Sequence, residues 1–236
     1  MTKGLRMHLV VFDIDGTLID SSEVDGECMW QATREVLRLP NDHSPWIDDL
    51  RHVTDLCIVS QHCEKRFGRP IRRSEVDLVR NKFVQLLRDA LSVRESSICQ
   101  IAGASEALSR VGAARGFAIA IATGCFVASA EFKLRNAGLF DASVPLVGSD
   151  NTLSREEIML NAARLAAQKH NVEFSDFTYV GDGVWDVKAT HNLGWNFIGI
   201  GTGDRAEALR RVGAVRIIPH FEPATKFLEV LSACAI

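Results

Sequence analysis

No two of the six cysteines, Cys28, Cys57, Cys63, Cys99, Cys125 and Cys234, stand as a CxxC pair. That excludes the usual spacing of a structural zinc site and gives no disulfide framework. Most of them fall in segments that read as helix, where cysteine serves as a small buried hydrophobe. A reducing, cytoplasmic setting is predicted. Positive charge is not in excess either: 27 Lys and Arg face 30 Asp and Glu, interspersed, for a net charge of -3. A nucleic-acid surface usually needs a basic patch, so no nucleic-acid partner is expected. Long apolar runs are missing. The run from Met7 to Phe12 is broken by Asp13, too short for a signal-peptide core or a membrane span. Neither repeats nor low-complexity stretches occur, and nothing in the sequence encodes an oligomeric state.

What is present is an ordinary globular balance, 47% hydrophobic and 24% charged, over 236 residues. That length admits one large domain or two unequal ones. Leu9-Val10-Val11-Phe12 is apolar on both faces, as in a strand inside a parallel sheet. The same texture returns at 117–122, 177–180, 197–200 and 215–218, and more weakly at 144–147. Helix-like segments lie between, at 127–137, 156–169, 184–192, 205–212 and 223–231. Strands alternating with helices predict an α/β fold built on a doubly wound, Rossmann-like parallel sheet.

One stretch breaks the alternation. From about 22 to 93 the pattern is helical without a buried strand. Ser22-Glu23-Val24-Asp25 resembles a capping box opening a first helix. Pro45 suits the first turn of a second, and Ser74 the cap of a third running to about Leu91. A single crossover needs only one helix. The expected organisation is therefore a Rossmann-like core of residues 1–20 and 95–236 with an inserted helical cap at 21–94.

The strongest local signal is Asp13-Ile14-Asp15-Gly16-Thr17, directly after the first strand. Four specified residues at fixed spacing arise by chance on the order of 10⁻⁵ per position. A strand places residues two apart on one face, and open α/β sheets bind ligands at strand carboxyl ends. This segment resembles the first motif, DxDGT, of the haloacid dehalogenase-like hydrolases. Ile121-Ala122-Thr123-Gly124 resembles the second motif, and Val180-Gly181-Asp182-Gly183-Val184-Trp185-Asp186 the fourth, GDxxxD. Order and coverage, including the helical insertion of phosphoglycolate phosphatase-like members, agree along the whole chain.

The resemblance implies a phosphohydrolase acting on a small phosphorylated metabolite. Asp13 would be the nucleophile and Asp15 the acid and base, with Thr123 and Gly124 binding phosphate. Mg²⁺ would be held by Asp13, the Asp15 carbonyl and Asp182, with Asp186 near it. The residue types suit this chemistry: phosphoryl transfer needs an in-line nucleophile, a proton donor and surrounding positive charge. The third motif departs from the family, which places a lysine at the following helix start. Gly148 through Glu157 contains none, and Arg155 is the cation at that place, capable of binding phosphate. Lys188 lies two positions after Asp186 and is expected to point elsewhere. Lys133 and Arg135 are expected on the outer surface of their helix. Arg51-His52-Val53-Thr54-Asp55 resembles the specificity loop of family caps, implying substrate contacts at His52 and Thr54. Cys125 reads as a small loop residue. Dehalogenases of the superfamily do not keep the second aspartate, so Asp15 argues against C–Cl hydrolysis. A phosphosugar mutase and a catalytically silent phosphate-binding protein are the alternatives.

Overall fold

The computed structural model describes residues 7–45, 50–93 and 98–234. In chain order, β1 (Met7–Phe12) and β2 (Ile19–Asp20) lead into α1 (Ser22–Leu37), α2 (Asp55–Phe67) and α3 (Arg73–Val93). Next come β3 (Cys99–Gln100), α4 (Ala104–Ala113), β4 (Phe117–Ala122), α5 (Val127–Asn136) and β5 (Leu146–Val147). The chain closes with α6 (Arg155–His170), β6 (Phe174–Gly181), α7 (Val184–Leu193), β7 (Asn196–Ile200), α8 (Gly203–Arg211), β8 (Ile217–Ile218) and α9 (Ala224–Ser232).

β1 sits inside a six-stranded parallel sheet of order β5-β4-β1-β6-β7-β8. Both of its faces are covered, which is why it carries no polar residue from Leu9 to Phe12. Val10 and Phe12 pack into one core, with α4 and α9, whereas Leu9 and Val11 pack into a second under α6. The alternation is the period of two that a strand imposes. The doubly wound α/β reading therefore holds. The strands expected at 144–147 and 215–218 shrink to their last two residues. α4 and the pair β2 and β3 were not anticipated.

Among the described residues between 22 and 93 there are three helices and no strand. β2 and β3 pair antiparallel, Ile19 with Gln100 and Asp20 with Cys99, so the chain leaves and re-enters the sheet side by side. α1 packs along α3, and α3 along α5. Three local expectations need correction. Ser21, not Ser22, precedes α1, and its hydroxyl goes to Asp15 rather than to a cap. Pro45 lies in a bend; α2 starts at Asp55, where the Thr54 hydroxyl accepts the Cys57 N–H. Ser74 falls one residue inside α3, whose first turn is instead tied by the Glu75 carboxylate on the Arg72 N–H.

Candidate active site

The carboxyl ends of β1, β4 and β6 open into one cavity of about 620 Å³. Asp13 stands just past β1, held by its backbone N–H on Val180 at 2.9 Å. The turn after it requires glycine: Gly16 has φ 74°, and a Cβ there would lie 2.0 Å from Asp182 Oδ2. Thr123 follows β4, buried, its hydroxyl accepting the Cys125 N–H at 3.3 Å. At Gly124 a Cβ would meet Arg155 Nη2 at 2.6 Å and the Val53 carbonyl at 2.7 Å, so this position keeps room for the guanidinium. Asp182 stands just past β6, and Asp186 sits in the first turn of α7, where its carboxylate accepts the Gly183 N–H at 3.0 Å.

Arg155 opens α6 and is buried. Its Nη1 lies 2.9 Å from Asp186 Oδ1, an ion pair without hydrogen-bond angles, and 3.5 Å from Asp13 Oδ2. The same nitrogen donates to the Tyr179 hydroxyl at 3.2 Å, and Nη2 donates to the Val53 carbonyl at 3.0 Å. Burial alone would lower its pKa; Asp186 and Asp13 outweigh that, and it is raised, so the group stays charged. The carboxylates are less comfortable. Burial pushes Asp13 up to about 7, with Arg155 opposing and Asp186 and Asp15 reinforcing. Burial, then Asp13, raises Asp182 to about 7 against the pull of Arg205. Burial raises Asp186 to about 6 against Arg155. Oxygens of Asp13, Asp182 and Asp186 lie within 4.8 Å of one another. A buried, all-oxygen set that resists ionisation is what a hard divalent cation relieves. These residues fit such an ion, although Asp186 is already engaged by Arg155 and Gly183.

Asp15 lines the same cavity but belongs to a second cluster, with Asp25 and Cys125. Its carboxylate takes Lys133 Nζ on both oxygens at 2.6 Å, the Ser21 hydroxyl on Oδ1, and the Cys125 thiol on Oδ2 at 2.9 Å. Burial would raise its pKa, but Lys133, Cys125 and Ser21 outweigh burial and lower it. The expectation for Lys133 was therefore wrong, whereas Arg135 is exposed beside Glu131 as expected. Helical side chains lean toward the helix N-terminus, and α5 points its N-terminus at the site. Lys133 also shares the buried face of Ser129, Ala130 and Leu134. A lysine among small and apolar residues at that spacing was the available signal.

Thr54 reaches the cavity wall, but its hydroxyl is spent donating to Leu153 O at 3.0 Å and capping α2. His52 lines a smaller neighbouring cavity of about 300 Å³ with Glu156, Trp185 and the exposed Lys188. Asp55, buried, accepts the Phe126 N–H at 2.8 Å, and burial raises its carboxyl to about 8. Arg205 was not foreseen. Its Nη1 lies 3.2 Å from Asp182 at the cavity rim, half exposed, on a helix start that carries no motif. Among the described residues no helix is long and apolar enough to cross a membrane.

No curated protein matches the chain in sequence. Solved structures do match in fold. A hydrolase from Pseudomonas syringae is 21% identical with a TM-score of 0.67, covering 93% of this chain and 97% of that one. CbbY from Rhodobacter sphaeroides, in complex with phosphate, is 19% identical with a TM-score of 0.64, covering 92% and 96%. A predicted phosphoglycolate phosphatase from Haemophilus somnus 129pt is 17% identical with a TM-score of 0.62, covering 94% and 98%. At these identities the likeness concerns the fold. The family model of the haloacid dehalogenase-like hydrolases matches residues 7–194, from the first residue of β1 to the glycine that follows α7, and takes in all of the strand-end aspartates. The chain belongs to the haloacid dehalogenase-like hydrolases.

Proposed function

We propose that this hydrolase cleaves phosphate monoesters of small metabolites through an aspartyl phosphate on Asp13. The observation that carries the reading is Asp13 itself: a buried carboxylate at the end of β1, facing a cavity, with the Arg155 guanidinium 3.5 Å away. A nucleophile beside a fixed cation suits an anionic electrophile. An Asp13 oxygen bonds to phosphorus as the bond from phosphorus to the leaving oxygen breaks. Asp15, a carboxylate at rest, takes up a proton from solvent as the anionic ester binds and gives it to that oxygen. Water then attacks the phosphorus of the aspartyl phosphate, Asp15 takes a proton from the water, and the Asp13 carboxylate is released with inorganic phosphate. Thr123 and Arg155 orient the phosphoryl oxygens. Mg²⁺, held by Asp13, Asp182 and the Asp15 carbonyl with Asp186 behind, would supply further positive charge against them.

Residues 21–94 serve in this reading as the cap that selects the substrate above a core of 1–20 and 95–236. The antiparallel closure of β2 on β3 supports this, because it makes the helical segment an excursion with joined ends. CbbY has been crystallised with phosphate and with xylulose-(1,5)bisphosphate, which supports a phosphorylated ligand class in this fold. The test is turnover of p-nitrophenyl phosphate with and without Mg²⁺, followed by a panel of sugar, nucleoside and glycolate phosphates. Mg²⁺-dependent phosphate release is expected. Isomerised product without release would point to a mutase, and no turnover of any ester would refute the reading.

A further inference from the structure

Lys133 is fully buried, and each of its three ammonium hydrogens has a carboxylate to meet. Two go to the two oxygens of Asp15 at 2.6 Å, and the third to Asp25 Oδ1 at 2.5 Å. The Cys125 sulfur lies 3.2 Å from the same nitrogen. With Ser21 and Cys125 added, each Asp15 oxygen has two donors. A carboxylate gripped on both oxygens by one ammonium cannot rotate about its last bond without breaking a charged contact.

Stability is a poor explanation for this arrangement. Burying a lysine with two carboxylates costs desolvation that apolar residues of similar volume would avoid, and such clusters often gain nothing net. The cluster gathers instead around a carboxylate whose direction the proton transfer depends on. We propose that Lys133 and Asp25 are positioning residues for Asp15. Lys133 sets the plane of its carboxylate, and Asp25 anchors the Lys133 ammonium from α1. This rests on the phosphohydrolase reading and assigns within it two residues that carry no family motif. It also makes the placement of α1, the first helix of the inserted segment, a determinant of proton transfer. An α1 displaced by a fraction of an ångström would move Asp25, then Lys133, then the acid.

Leaving-group dependence tests this, because an activated phenol needs little proton donation and an alkoxide needs much. Asp25→Asn is the primary variant. The amide keeps the shape and an oxygen that can accept from Lys133, while Asp15 still balances the ammonium charge. Its kcat on an alkyl phosphate is expected to fall roughly tenfold, a fraction of the 10²–10⁴ that general acid catalysis supplies. KM should stay within about twofold, and p-nitrophenyl phosphate should lose less than about threefold. Lys133→Met should widen the same split; should it fail to fold, Asp25→Asn decides alone. Equal losses on both esters, no loss on either, or a change confined to KM would overturn the positioning role while leaving the hydrolase reading intact. A wild-type protein that turns over neither ester would overturn both.

Discussion

Arg155→Met should unfold the protein more easily at pH 8 than at pH 5.5, and should cripple it at both. The substitution keeps most of the side-chain volume in a site that is almost closed to solvent, so the change is chiefly one of charge. It leaves Asp13 and Asp186, 3.5 and 2.9 Å from the lost nitrogen, without their cation. Removing one partner of a buried ion pair costs about 3–5 kcal/mol. At 2–4 °C per kcal/mol for a chain of this size, the melting temperature should drop by roughly 6–20 °C at pH 8. The pH dependence follows from the signs. Even with Arg155 present, burial holds Asp13 near 7 and Asp186 near 6, above the unfolded carboxylate value. Without it both rise further. A group whose folded pKa is raised favours the native state below that pKa and penalises it above. At pH 5.5 protonation discharges the orphaned carboxylates, and the deficit should shrink to less than half. Catalysis offers a second readout: kcat/KM should fall about 10²-fold or more, equivalent to about 2.7 kcal/mol of lost transition-state stabilisation. Arg155→Lys should recover part of it, since one ammonium cannot reach Asp13, Asp186 and the Val53 carbonyl together. Thermal melts at the two pH values, with steady-state kinetics in Mg²⁺, decide the matter. A deficit independent of pH, or a kcat/KM within threefold of wild type, would refute the reasoning.

Asp13→Asn should abolish turnover and leave the melting temperature at pH 8 unchanged or higher, because a strained buried charge is removed; more than a few per cent of activity in freshly purified protein would exclude Asp13 as nucleophile. Metal-free wild-type protein should lose stability between pH 5 and pH 8, as Asp186, Asp13 and Asp182 release protons they hold more tightly when folded; melts in EDTA across that range check this. Mg²⁺ should raise the melting temperature more at pH 8 than at pH 5.5, and at a hundredfold excess over its Kd it should stabilise the fold by about 2.7 kcal/mol. EDTA should also abolish activity, with Mg²⁺ restoring it in the same assay.

Much of this was legible from sequence because buried parallel strands have no polar face to spare. β1 and β4 announced themselves as apolar runs, and the ends of such runs are where the candidate site had to lie. Arg155 was found by position alone, and the structure places it against Asp13 and Asp186. Lys133 was missed because a long charged side chain on a helix is usually solvated, and only three-dimensional neighbours reveal two carboxylates waiting for it. Asp25 was undervalued for the same reason, being 108 positions from Lys133, and Cys125 because its acceptor Asp15 lies 110 positions away. β2 and β3, two residues each, are too short to show any period. α4 buries Ala104, Ala107 and Val111, the spacing of a helix face, so nothing in the sequence hid it. Pro45 suggested a helix start because proline fits one, but Thr54 supplied the cap that was used.

The first of the described strands is also an interior one. β1 has β4 on one side and β6 on the other, so its partners are made more than a hundred residues later. A nascent chain therefore carries a strand, apolar from Leu9 to Phe12, with both edges open until β4 is made and one edge open until Gly181 has left the ribosome. Contacts so distant in sequence slow folding, since the intervening chain must be closed before pairing repays the loss of entropy. Residues 22–93 lie within the first of those loops, and α1 and α3 can pair with each other before β4 exists. Fragments ending before β6 should aggregate through β1 rather than fold, and expression should depend on chaperones that shield that one segment.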